Sequence, residues 1–207
     1  MAVVFAAQRE VLAEMSAAIG PLLQGPGGYL VPAAFGAFLG SSTSIACTAV
    51  SRDAKALPWI RSLPIAPGKY FMAKLLHAEV FAVIGSLIGC GAGIALFHTA
   101  ALDAVIALLL ANIISAALNM GGLWLDTAFP RIRWDNPIAA MKQNPNAVIA
   151  ILSTMGLVGG LVAISLFLDL PRYSYAMAFG GVFMAPILAR FRFYPRFAAR
   201  RYATMEA

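Results

Sequence analysis

The apolar positions of this chain gather into five long runs, and the loops between them are by turns basic and almost free of charge. The runs cover residues 29–50, 71–97, 102–123, 148–168 and 173–189. About 20 predominantly apolar residues are needed for a helix to cross the hydrocarbon of a bilayer; the first four runs meet that length and the fifth falls a little short. Backbone amides at that depth have no water to bond, so segments this apolar must satisfy themselves internally as helices. The pattern predicts an all-α integral membrane protein, a polytopic bundle of about five transmembrane helices occupying residues 29–189. Ahead of them, Val4, Val11, Leu12, Met15 and Ile19 fall roughly on one stripe, which predicts an amphipathic or partial helix within residues 1–28. Pro21 and the Gly25-Pro26-Gly27-Gly28 run separate it from the first span.

Composition sharpens the picture. The 207 residues are 61% hydrophobic and 12% charged, where a soluble domain is about 45–50% apolar and about 25% charged. The spans consume most of the length and leave no room for a separate catalytic domain. The net charge of +6 points to a basic membrane face and not to nucleic acid, because the basic residues cluster beside the spans. Cys47 and Cys90 both lie in apolar runs with no C-x-x-C spacing, which favours small buried hydrophobes over a disulfide or a metal site. Near the N-terminus, Gln8, Arg9 and Glu10 interrupt the apolar residues before a signal-peptide core can build up.

Charge then sets an orientation. Arg52, Lys55, Arg61, Lys69 and Lys74 lie between or beside the first two spans, and Arg131, Arg133 and Lys142 between the third and fourth. Arg190, Arg192, Arg196, Arg200 and Arg201 form a basic tail over residues 190–207. The links at 98–101 and 169–172 carry no Lys or Arg and one Arg, respectively. Every second loop is basic, so the positive-inside rule puts loops 51–70 and 124–147 and the C-terminus in the cytoplasm, with the N-terminus outside. An outside start with an odd number of spans predicts that N-terminal spans are missing from this chain, or that residues 2–24 supply a partial one.

The two basic loops hold the most specific residues. In the first, Pro58 and Pro64 bracket a single short helical turn, since proline is accepted at a helix start and rejected further in. The spacing predicts that Trp59, Ile60 and Leu63 share one face of it, with Arg61 and Ser62 turned away. Such a turn either rests in the membrane interface through its Trp or offers its apolar face to the groove of a soluble partner. In the second loop, Asp135 or Asn136 is placed to cap a helix starting at Pro137, with Trp134 beside it as an interfacial anchor.

Together these residues resemble the ABC-2-type transporter permeases, the membrane subunits of bacterial ABC exporters. Ser51, Arg52, Lys55, Leu63, Pro64, Ile65 and Lys74 match the "SREGK … K-LPI … aK" signature of that family, with Asp53 in place of Glu and Ala54 in place of Gly. Asp126, Pro130, Trp134, Asn136, Ala140, Lys142, Gln143, Asn144 and Asn146 fall on its "D…P…W.NE..A.KQN.N" stretch, from which Pro137 and Pro145 depart. The resemblance covers roughly residues 50–150, and relatives are much longer, so the chain looks like a partial or N-terminally shortened member. It implies a multi-pass protein of the bacterial cytoplasmic (inner) membrane that binds no cofactor and is not itself an enzyme. A separate ABC ATP-binding subunit would carry ATP and Mg, docking on a coupling segment that includes Arg52, Lys55, Trp59, Ile60, Leu63 and Pro64. A second permease half or a homodimer would complete the pathway, with membrane lipids as the other partners and no nucleic acid.

Polar residues inside spans are costly, and each is a functional candidate. Glu79 either pairs with Lys74 or a neighbouring helix, or serves translocation. Asn112 and Asn119 lie two turns apart on one face with Ser115 between them, a stripe suited to interhelical hydrogen bonding or to substrate contact. Ser41 and Ser44, in the run from Ser41 to Ser44, back-bond to their helix, bend it, or line a path. Gly85, Gly89 and Gly93 form a flat ridge for close helix packing. There is no GxxxxGK[ST], HExxH or GxSxG motif in the chain, and His77 and His98 fall on opposite sides of the membrane. The competing reading is an integral-membrane enzyme or assembly factor acting on lipid, which needs Asp53, Asp126 and Asp135 brought together. A secondary transporter would need a broken helix with charged midplane residues.

Overall fold

The computed structural model describes residues 20, 25–168 and 170–205, and every regular element among them is helical. Helix α1 spans Leu30–Ser41, α2 Ala49–Arg52, α3 Leu57–Ser62, α4 Pro67–Phe97, α5 Ala101–Ala128, α6 Pro137–Lys142, α7 Pro145–Phe167 and α8 Ser174–Thr204. Short 3₁₀ turns at Ala46–Thr48 and Ala54–Ala56 lead into α2 and α3. Five stretches are long and apolar enough to cross a membrane: Leu30–Ser62, Pro67–Phe97, Ala101–Ala128, Pro145–Ser165 and Ser174–Thr204. The expected all-α bundle with about five long apolar helices is present. The predicted N-terminal amphipathic helix falls, Gly20 apart, outside the described residues.

Helices α4, α6 and α7 each begin at a proline, which fixes φ for the first turn and lacks a donor that would go unused there. Helix α5 is the centre of the bundle and packs on α1, α4, α7 and α8. Its inward face carries Ala107, Leu110, Ala111 and Ile114, buried with Tyr29, Ala33, Ala37, Phe179 and Phe183. Large apolar side chains of α4, α7 and α8, such as Ile88, Leu152, Met177 and Val182, point outward, as lipid-facing positions do.

The predicted glycine ridge packs α4 against α1. A Cβ on Gly85 would lie 2.6 Å from the Leu39 carbonyl oxygen, one on Gly89 2.5 Å from that of Phe35, and one on Gly93 2.8 Å from Pro32. Helix α1 replies with its own small residues, Gly36 and Gly40. The two backbones approach so closely that only glycine fits at these three positions.

Two spans depart from expectation. The run 29–50 is not one helix: α1 stops at Ser41, and Ser44 takes a left-handed conformation at φ 55°. Its 12 residues cover about 18 Å, short of the about 30 Å hydrocarbon thickness. Ser41 Oγ donates to the Ala37 carbonyl (2.6 Å) and Thr48 Oγ1 to that of Ser44 (2.7 Å), so the serine-rich stretch bonds to its own backbone and ends the helix. Arg52 Nη2 donates to the Ile45 carbonyl at 3.0 Å, satisfying an acceptor that the break frees. At the break itself Thr43 is exposed and Ser42, Ser44 and Ile45 are half-buried, and full burial resumes from Ala46 to Ser51.

The fifth run, expected to end at residue 189, continues as α8 to Thr204. The basic segment from residue 190 to 204 is therefore helix. Tyr194, Ala198, Tyr202 and Met205 are buried with Val50, Leu57, Phe71 and Leu123, while Arg192, Arg196, Arg200 and Arg201 are exposed. Arginines facing water hide this amphipathic pattern from a hydropathy scan.

At the opposite end, the Arg172 guanidinium donates to both oxygens of the buried Asp103 carboxylate, and Tyr29 donates to the Arg172 carbonyl at 2.8 Å. The hydrogen bonds to Asp103 raise the pKa of Arg172 above its ordinary value.

Candidate functional site

The two loops that carry the sequence matches meet at one carboxylate. Asp126 is fully buried in the last turn of α5, where the helix dipole disfavours negative charge. Four donors offset this. Its Oδ2 accepts from the amides of Val50 (2.7 Å) and Ser51 (3.0 Å), at the start of the four-residue helix α2. Its Oδ1 accepts from the Ser51 hydroxyl and from Asn146 Nδ2, the latter at 3.0 Å. The amides have no partner within so short a helix, so a carboxylate 75 residues away in sequence caps them.

Ser51 is the second hub. Beyond the bonds to Asp126, its hydroxyl accepts from the Arg131 amide at 2.9 Å and its carbonyl from Trp134 Nε1 at 2.8 Å. The Lys55 ammonium lies 4.5 Å from the centre of the Trp134 ring, a cation–π contact. Asn146 also donates to the Phe129 carbonyl at 2.8 Å, and Asn144, buried, caps α7 by accepting from the Asn146 amide at 3.0 Å. The end of α5, the start of α7 and the first basic loop are thus one hydrogen-bonded unit. Trp134, expected as an interfacial anchor, is half-buried and docked on the first loop. Asn136 caps α6, accepting from the Ile138 amide at 2.9 Å, while Asp135, Lys142 and Gln143 are exposed.

The expected face of α3 is turned. Leu57 is fully buried and Ile60 packs beside it, but Trp59 points outward, 66% exposed, together with Pro58 and Ser62. Arg61 points inward: it donates to the carbonyls of Tyr202 and Met205 and lies 5.2 Å from the centre of the Tyr202 ring. The last carbonyls of a helix lack intrahelical donors, and a cation near that end is favoured. The arginine follows those acceptors inward and carries the tryptophan to the outside. Among the coupling candidates, Lys55, Trp59 and Pro64 are therefore exposed, whereas Arg52, Ile60 and Leu63 are half-buried, with Arg52 and Ile60 serving the fold.

The acids of this end do not converge. Asp53 pairs with Lys74 at 2.5 Å and accepts from the Tyr70 hydroxyl at 2.9 Å, apart from the Asp126 network. Among the described residues no group of three His, Cys, Asp or Glu side chains is placed to hold a metal ion. Lys74 is taken by Asp53, which leaves the neighbouring-helix alternative for Glu79: its Oε1 and Asn119 Nδ2 on α5 are both buried, and neither makes a hydrogen bond among the described residues. Asn112 donates to its own helix at the Leu108 carbonyl (2.8 Å), and Ser115 Oγ donates to the Ala37 carbonyl of α1 at 3.2 Å. The predicted stripe thus divides between self-bonding and interhelical bonding.

Sequence reasoning gave no role to Ser51, Asn146 or Arg61. Ser51 and Asn146 entered only as matches to the two sequence stretches, without a structural role, and Arg61 only as a basic-loop residue expected to turn away from the apolar face. No protein-family model, no curated protein and no solved structure matches this chain.

Proposed function

We propose that this chain is the membrane-spanning permease subunit of an ATP-driven ABC exporter, with its basic loops and C-terminus in the cytoplasm of a bacterial inner membrane. A separate ATP-binding subunit holds ATP and Mg, and a second permease half or a second copy completes the pathway. The observation that carries this reading is Trp59, a large aromatic side chain exposed on a short helix that the rest of the chain holds rigidly. Leu57 and Ile60 fasten α3 from below and Arg61 ties it to the end of α8, while the Asp126 and Ser51 bonds join the preceding turn to α5 and α7. Exposed aromatics on rigid supports are the anchors of protein interfaces. A push on α3 is transmitted to the ends of three long helices, as rigid-body coupling requires.

The reading as a lipid-acting enzyme needs carboxylates converging at one face, and here Asp53 and Asp126 are engaged in separate networks. The secondary-transporter reading finds its broken helix at the end of α1, but the freed carbonyls there are taken by Thr48 and Arg52 and no carboxylate lies among those bonds.

Co-purification from detergent with the ATPase encoded beside the gene tests the proposal. Wild type should capture that ATPase in stoichiometric amount. Trp59→Asp should lower capture about tenfold or more while Trp59→Phe retains it, both variants keeping wild-type melting temperature. Absence of capture by well-folded wild type refutes the reading.

A further inference from the structure

A groove of about 520 Å³ runs between α5 and α8 on the outside of the bundle. Its walls are apolar, with Trp124, Leu125, Phe129 and Phe193 among them, and Gly121 and Pro186 leave its floor open. One charged side chain lines it, Arg190. The guanidinium donates to the Ala117 carbonyl at 2.8 Å and lies 3.2 Å from the position a Cβ on Gly121 would take. That is a single hydrogen bond for a group with five N–H donors. The ion pairs formed among the described residues are Lys74–Asp53 and Arg172–Asp103, so Arg190 has no carboxylate partner there.

Depth assigns the missing anion. Between Arg172 and Arg190 α8 carries no charged residue, and at 1.5 Å per residue the two arginines are about 27 Å apart, close to the about 30 Å of a bilayer's hydrocarbon. Arg190 therefore stands at the inner hydrocarbon boundary, and Trp124 in the same groove is a residue type that favours that level. A guanidinium with no carboxylate partner among the described residues, at this depth and at the foot of an apolar groove open to the side, complements one kind of molecule. It carries an anionic phosphate at the boundary and an acyl chain running into the hydrocarbon.

We propose that the α5–α8 groove is a binding site for an anionic phospholipid of the inner leaflet. The phosphate bonds to the free N–H groups of Arg190, and one acyl chain lies along Gly121, Leu125 and Pro186. The site shares no lining residue with α3 and does not depend on the transport reading; its assignment to the inner leaflet rests on the proposed orientation, with the basic end in the cytoplasm.

Native mass spectrometry of the purified chain tests this, with phosphatidylglycerol or phosphatidylcholine added at matched concentration. Wild type should retain one phosphatidylglycerol several-fold more than phosphatidylcholine. Arg190→Gln and Gly121→Leu should abolish the preference, whereas Arg190→Lys and Arg192→Gln, the latter at an exposed arginine outside the groove, should keep it. In wild type alone, phosphatidylglycerol with a photoreactive acyl chain should label residues 121–129 and 186–193. Equal retention of the two lipids overturns the site, as does loss of preference to the same extent in Arg190→Gln and Arg192→Gln. Labelling spread evenly over α4 and α7 overturns it too. Displacement of the lipid by millimolar inorganic phosphate would assign the arginine to a free anion and overturn the lipid assignment.

Discussion

Asp126 shows how much one buried carboxylate can organise. Removing it leaves two backbone amides, the Ser51 hydroxyl and the Asn146 amide without their acceptor, all in a region that excludes water. Each buried donor left unpaired costs about 1–3 kcal/mol, so Asp126→Ala should destabilise the fold by more than about 3 kcal/mol. Asp126→Asn keeps the shape but sets a donor against donors and should be nearly as harmful. Ser51→Ala leaves Asp126 its two amides and Asn146 and frees only the half-buried Arg131 amide, so its cost should be smaller, about 1–3 kcal/mol. Thermal unfolding in detergent gives the ranking. An Asp126→Asn protein as stable as wild type would mean that the network is incidental. The residue stood out in the sequence as the first match of the second-loop stretch and as one of three acids expected at the basic end. Its partners did not, because which amides a distant side chain will cap depends on where the first span breaks.

At the scale of elements, the glycines separate into two kinds that spacing alone does not distinguish. Gly89 touches the α1 backbone, whereas nothing lies within 4 Å of where a Cβ would stand on Gly91, two positions further along the same helix. Gly89→Leu should force α1 and α4 apart and cost several kcal/mol, as overpacking against backbone does. Gly91→Ala should be neutral, or stabilise by up to about 1 kcal/mol through helix propensity. Similar melting temperatures for the two variants would count against the close seam. The ridge at Gly85, Gly89 and Gly93 was legible from its four-residue period, and so were the positions of the long helices. A bend at Ser41–Ser44 was one of the outcomes the four polar residues allowed, but the end of α1 there was not legible, since apolar residues resume at 45–50 while the backbone turns at Ser44. Nor was the inward turn of Arg61 legible, because the carbonyls it seeks belong to a helix end about 140 residues away.

For the whole molecule, the charge pattern and the helix directions make one claim about orientation. The chain passes from one end of the bundle to the other along α4, returns along α5, and repeats this with α7 and α8, so the 98–101 link lies at the end opposite α3, α6 and the arginines of α8. Cys47 and Cys90 are buried, which leaves the native protein with little background for thiol labelling. Cysteines at the exposed positions Ala100, Lys142 and Ala199 should then react asymmetrically with a membrane-impermeant maleimide. The positive-inside rule has Ala100→Cys labelled in intact cells, and Lys142→Cys and Ala199→Cys labelled only after permeabilisation. The reverse pattern would keep the bundle and invert its orientation, removing Trp59 from the side where an ATPase could reach it. Labelling of Ala199→Cys together with Ala100→Cys, while Lys142→Cys stays protected, would mean that α8 does not cross, because the chain would then reach the outside by α7 and stay there. Only the asymmetric result leaves the exposed tryptophan, its rigid support and the basic end facing the compartment in which ATP is hydrolysed.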